Sequence, residues 1–135
     1  MEPRIDAWLR GHAALVLPIL FALARHANDS ESLARDRASL RQLARAIREG
    51  LEVLRALALP VTPLQLRLIL WLPTGVTATM LSRMLASEFA KVAFAGHAAA
   101  AGPEFERLWA DLRELAARSG SPIPNLEALH AAAQG

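Results

Sequence analysis

At 135 residues the chain has length for one hydrophobic core and no room for a second domain of ordinary size. Its hydrophobic fraction of 53% and mean hydropathy of +0.24 exceed what a lone domain of this size needs, so part of the apolar surface is expected to be covered by a partner. The net charge of +2 hides a pI near 10.4, which arises because every basic residue except Lys91 is an arginine. Acids are interspersed among these bases, so no nucleic-acid footprint is read. The absence of cysteine excludes disulfides and thiolate metal sites and fits a reducing cytoplasm.

The first predicted helix covers about Ile5 to His26. Trp8, His12, Leu15, Val16, Ile19 and Leu23 recur at helical spacing, and Pro18 inside the run predicts a kink rather than a break. The apolar run from Ala13 to Ala24 is shorter than the roughly 20 residues that cross a bilayer, so no membrane span is expected. Nor does it carry a signal-peptide pattern, because Arg25 and His26 end it without small residues.

Asn28 with Glu31 three later reads as a capping box opening a second helix that runs to about Ala58. Its apolar stripe is Leu33, Leu40, Leu43, Ile47, Leu51 and Leu54. Arg37, Arg41, Arg45, Arg48, Glu52 and Arg55 form the other face, read as solvated, with Arg48–Glu52 as an i,i+4 pair. Thr62, Pro63 and Gln65 predict the start of a short third helix ending by Pro73. Thr74-Gly75 reads as a turn. A fourth helix then begins near Val76 and buries Met80, Leu81, Met84, Leu85, Phe89 and Val92.

A fifth helix is predicted from Pro103 to Ser119, with Phe105, Leu108, Leu112 and Leu115 inward and Gly120 at its end. Pro122 and Pro124 stiffen an elbow, and Asn125 is read as the cap of a last helix docking Leu126 and Leu129. The fold expected is all-α, one compact domain of about six helices.

Chemistry is sparse along this chain. There is no GxGxxG or GxxxxGK loop to cradle phosphates. Four histidines (His12, His26, His97 and His130) stand apart from one another without helical pairing, so no metal site is expected. Trp8, Trp71 and Trp109 read as core or interface anchors.

The order of segments carries more information than any one of them. A Trp8-x-Arg10 helix, then "LRALALPVTP", then "TATML", then "GSPIPNLEAL" resembles the C-terminal helical domain of the ketopantoate reductase (2-dehydropantoate 2-reductase) family over nearly the whole chain. The resemblance implies a preceding Rossmann domain that binds NADPH, absent from this chain, and hydride transfer to a small keto acid. It also implies a helical domain that supplies substrate-binding side chains and the contacts of a homodimer. The family's catalytic lysine falls at Arg10 and its following asparagine at Ala14. Its substrate-binding serine falls at Thr79 and its glutamate at Lys91, with Glu88 one turn earlier on the same face; the later asparagine falls at Gly96. Arginine keeps the charge of lysine but does not release a proton. The expectation is therefore a domain inactive by itself, with no cofactor of its own, no nucleic-acid partner and no membrane. The alternative is a stand-alone helical interaction module, either a homodimer or the partner of a separate Rossmann chain.

Overall fold

The computed structural model describes residues 3–27, 29–58, 68–88, 90, 92 and 103–134, with side chains described at 14–27, 29–58, 68–88, 90, 92 and 106–133. Among these residues there are six helices and no strand, in one domain: α1 (Pro3–Arg25), α2 (Ser30–Arg35), α3 (Arg37–Ala56), α4 (Thr74–Leu85), α5 (Pro103–Ser119) and α6 (Pro124–Gln134). The expected all-α class is what the chain adopts. The first half of the third predicted helix, up to 67, lies outside the described residues; of its second half only Leu68–Leu70 are helical, as a short 3₁₀ turn, and Trp71 and Leu72 are not.

Helix α3 is the hub, packing on α1, α4, α5 and α6. Its buried residues Leu40, Leu43, Ile47, Leu51 and Leu54 follow the helical period, and Ala44, Ala46, Gly50 and Val53 widen that stripe. A stripe this broad lets one helix serve several neighbours at once. Helix α1 runs unbroken through Pro18. Proline has no N–H, so the Ala14 carbonyl one turn earlier loses its helical donor. That carbonyl faces Gly50, where a Cβ would come to 3.5 Å from it and to 3.3 Å from the Ala14 Cβ. The missing side chain at Gly50 thus sets how closely α1 and α3 approach.

The predicted second helix is two helices. Asp36, in extended conformation, ends α2 and starts α3, and its carboxylate accepts from the Ser39 N–H (3.1 Å) and hydroxyl (2.8 Å). The cap of α2 is Asp29 rather than Asn28: Asp29 Oδ1 accepts from the N–H groups of Glu31 and Ser32. Asn28 itself lies outside the described residues.

Helix α4 begins at Thr74, two residues before the expected start. Thr74 and Gly75 form its first turn, because the Pro73 carbonyl accepts from Val76 and Thr77. The buried face only partly matches the expected stripe. Thr77, Ala78, Leu81 and Leu85 point inward, whereas Met80 and Val92, expected in the core, are exposed. Phe89 lies outside the described residues. On α5 the buried line is Trp109, Leu112 and Ala116, with Leu108 and Leu115 half-buried beside it; the Phe105 side chain is not among those described.

Gly120 closes α5 in the left-handed region (φ +73°), its N–H donating to Ala116 O at 3.1 Å. Ile123, Leu126 and Leu129 are buried, as expected for a docked terminal helix. Its cap is not Asn125. The Glu49 carboxylate of α3 accepts from the backbone N–H groups of Asn125 (3.2 Å) and Leu126 (2.9 Å) and from the Asn125 side-chain amide (2.7 Å). A full negative charge at a helix N-terminus satisfies those orphan donors better than a neutral amide oxygen does.

Candidate functional site

The candidate site lies where α4 starts against α3. The "TATML" segment straddles the boundary of the core: Thr77, Ala78 and Leu81 are buried, while Thr79 and Met80 face outward. Thr79 Oγ1 donates to Gly75 O (3.0 Å), the back-bond typical of a helical threonine, and accepts from Arg37 Nη1 (3.1 Å). Arg37 Nη2 also donates to Gly75 O (3.0 Å). A Cβ on Gly75 would stand 3.8 Å from both Arg37 Nη2 and Arg41 Nη2, so the two guanidinium groups converge on this first turn.

The arginine face of α3 is therefore not simply solvated, which corrects the sequence expectation. Arg37 binds the first turn of α4, and Arg48 Nη2 donates to Leu70 O (2.6 Å) in the preceding 3₁₀ turn. Glu52 is held by Arg55 rather than by Arg48. Long guanidinium side chains reach the backbone carbonyls of an irregular segment that has few helical donors of its own.

Among the sequence-predicted site residues, Thr79 is exposed, with its hydroxyl engaged as described. Glu88 is exposed and lies beyond the end of α4. The turn at Ala86 and Ser87 separates it from α4, so it does not join the Thr79 cluster through that helix. The side chains of Arg10 and His12 and all of Lys91 and Gly96 lie outside the described residues. Helix α1, which carries Arg10, packs on α2, α3, α5 and α6, whereas α4 packs on α2 and α3.

A second polar cluster sits at the α1–α3 corner. His26 Nδ1 is 3.2 Å from Ser32 Oγ, and His26 Nε2 lies 3.2 Å from Ser39 Oγ and 3.3 Å from Asp36 Oδ2. Serine, histidine and aspartate together suggest nucleophilic catalysis, but this arrangement is a structural clasp. Ser39 is 9% exposed and its hydroxyl is given to Asp36, while the His26 side chain is 14% exposed. The hydrogen bonds from Ser39, first its hydroxyl and then its N–H, hold the Asp36 carboxyl below the usual carboxylate range, and His26 and Arg25 add to this against a small opposing effect of burial.

A third cluster is aromatic. Phe21, Trp109 and His130 pack together, with Trp109 and His130 stacked at 4.7 Å and Phe21 edge-on to both. Trp109 is thus a core anchor. Trp71, read from sequence as an anchor of core or interface, is not in the core: it is 82% exposed.

An open groove of about 650 Å³ runs between α3 and the elbow at Ser121, Pro122 and Asn125. Its carboxylates are committed, Glu49 to the cap of α6 and Glu52 to Arg55, so it is a by-product of how α6 docks. Among the described residues no three His, Asp or Glu side chains group to hold a metal ion, and no helix is long and apolar enough to cross a membrane.

Sequence reasoning missed Arg37, Arg48 and Glu49 as residues with these specific partners. The signal available was weak: an arginine at every turn of one helix face, beside a segment of poor helical character.

No family model matches the chain, and no curated protein or solved structure matches it. Among the described residues there is no strand, and the sequence has no GxGxxG loop of the kind that cradles a dinucleotide.

Proposed function

We propose that this chain is the helical substrate-binding and dimerisation domain of a ketopantoate-reductase-like, NADPH-dependent oxidoreductase of the cytoplasm, inactive without a Rossmann domain. The observation that carries the reading is the ordered set of segments: Trp8-x-Arg10, the run ending in "LPVTP", "TATML" and "GSPIPNLEAL". The all-helical fold is consistent with it, and so is Thr79, whose hydroxyl stands at the surface beside Arg37. A hydroxyl flanked by guanidinium groups suits the carboxylate of a small keto acid, and arginine remains charged at any physiological pH. These groups bind and orient; none of them moves a proton. Arg10 in the lysine position would polarise a carbonyl without protonating it. Lys91 completes the substrate contacts in this reading.

Calorimetry on the purified chain tests it. NADPH is expected to give no binding heat, whereas ketopantoate binds weakly and loses that binding in Thr79→Ala. Measurable NADPH binding by the chain alone would sink the reading.

A second reading, a stand-alone interaction module that forms a homodimer or joins a separate Rossmann chain, is favoured by the exposed side chains of Leu68 and Trp71. Sedimentation of a clean monomer at high concentration removes the homodimer from either reading.

A further inference from the structure

Four large apolar side chains stand exposed on one short segment: Leu68 (61%), Trp71 (82%), Val76 (45%) and Met80 (55%). Val76 and Met80 are one turn apart and share a face of α4. Single exposed hydrophobes are ordinary, but a run of them headed by a tryptophan is the usual composition of a contact surface. The segment is also tied to a row of arginines. Arg48 bonds Leu70 at one end of it, Arg41 approaches Gly75 in the middle, and Arg37 bonds Gly75 and Thr79 beyond. Arg45 lies between Arg41 and Arg48 on the same exposed face of α3. No carboxylate pairs with Arg41 or Arg45 among the described residues. The result is an apolar row edged by cations on one side.

We propose that this surface docks an acidic amphipathic helix of a partner protein. Its apolar face covers Trp71, Val76 and Met80, and its flanking Asp or Glu side chains pair with Arg41 and Arg45. Charge selects this occupant. A second copy docking by the same face brings guanidinium groups and no free carboxylate, so it leaves Arg41 and Arg45 without partners whatever the two-fold axis. A guanidinium fork also pairs best with a planar carboxylate. The proposal rests on this geometry alone and holds whether the chain works within a reductase or as a separate module.

The test uses the full chain and a synthetic helical peptide of about 15–20 residues with leucines on one face and glutamates beside them, its lysine counterpart, and phosphatidylserine vesicles. Tryptophan fluorescence and calorimetry read the binding. The glutamate peptide is expected to bind with a Kd on the order of 10 µM, weakening at high salt, and the lysine peptide at least tenfold more weakly. Trp71→Ala is expected to cost about tenfold, and Arg41→Glu combined with Arg45→Glu reverses the peptide preference. All three side chains are exposed, so circular dichroism and thermal unfolding should remain unchanged and confirm that the variants fold. Equal binding of both peptides, or binding of neither, overturns the proposal. So does binding of vesicles but not of the glutamate peptide, or a dimer that Trp71→Ala dissociates.

Discussion

Helix α3 is stitched on two sides by its own charged residues, and the two sides end differently. Toward α6, Glu49 caps the helix while Ile123, Leu126 and Leu129 beneath it are buried. Toward α4, Arg37 and Arg48 hold backbone carbonyls while Leu68, Trp71, Val76 and Met80 remain outside. Polar stitching is therefore no measure of how much apolar surface an element contributes. The α6 side joins hydrogen bonds to burial and belongs to the fold. The α4 side also buries Ala78, Leu81 and Leu85, but it leaves Leu68, Trp71, Val76 and Met80 for something else to cover.

The sharpest way to break this contrast is truncation on each side. Leu126→Ala should lower unfolding free energy by about 3 kcal/mol in denaturant titration, the ordinary cost of a cavity at a fully buried leucine. Trp71→Ala should cost less than about 0.5 kcal/mol, as surface changes do. Comparable losses at the two positions would end the distinction. Next in size, Glu49→Ala should cost about 2 kcal/mol, because charge-assisted bonds are lost and helix donors are left without an acceptor. Glu49→Gln, which keeps an acceptor but not the charge, should recover part of that.

At the end of α5, Gly120→Ala should cost about 1 kcal/mol in thermal unfolding, since the residue sits at positive φ with open space around it and the strain is purely backbone. Arg37→Ala should cost about 0.5 kcal/mol, because the bonds it loses are exposed to water. A loss as large as that of Glu49→Ala would show that the two stitches contribute alike to stability.

The corner between α1 and α3 sharpens the same comparison through pH. The folded-state pKa of Asp36 lies below the ordinary 3.8. Its contribution to stability is thus fully present above that value and is lost as pH falls toward the lower folded value. Stability curves of the wild type and Asp36→Asn should converge as pH drops below about 4 and stay parallel above it. Curves that converge instead toward neutral pH would show that Asp36 is not held in this way.

Much of the fold was legible in the sequence. The α3 stripe of Leu40, Leu43, Ile47, Leu51 and Leu54 repeats often enough that its burial follows from period alone. Gly120 was legible as a helix end because glycine is the residue suited to positive φ. The start of α4 was not. Thr74-Gly75 has the composition of a turn, and Arg37, reaching in from another helix, helps to hold Gly75 inside the first turn. Met80 faces outward because α4 packs on α2 and α3 through Thr77, Ala78, Leu81 and Leu85, a choice of face that the apolar pattern left open. Asp36 was missed for a related reason: one capping carboxylate inside an otherwise helical pattern looks like a helix residue until Ser39 is seen bonded to it. Of the candidate site, Thr79 could be singled out from the sequence, but its arginine neighbours could not.

What the sequence by itself determined is what depends on near neighbours along the chain: an all-helical domain, the periodic core of α3, the end of α5 and the docking of Leu126 and Leu129. The tertiary structure decided what depends on groups far apart in the chain. Glu49 caps a helix 76 residues away, Arg37 claims Thr79 from 42 residues away, and Trp71 is left uncovered. Helix periodicity acts over a few turns, whereas a guanidinium or carboxylate takes whichever polar partner the packed backbone brings within about 3 Å of it.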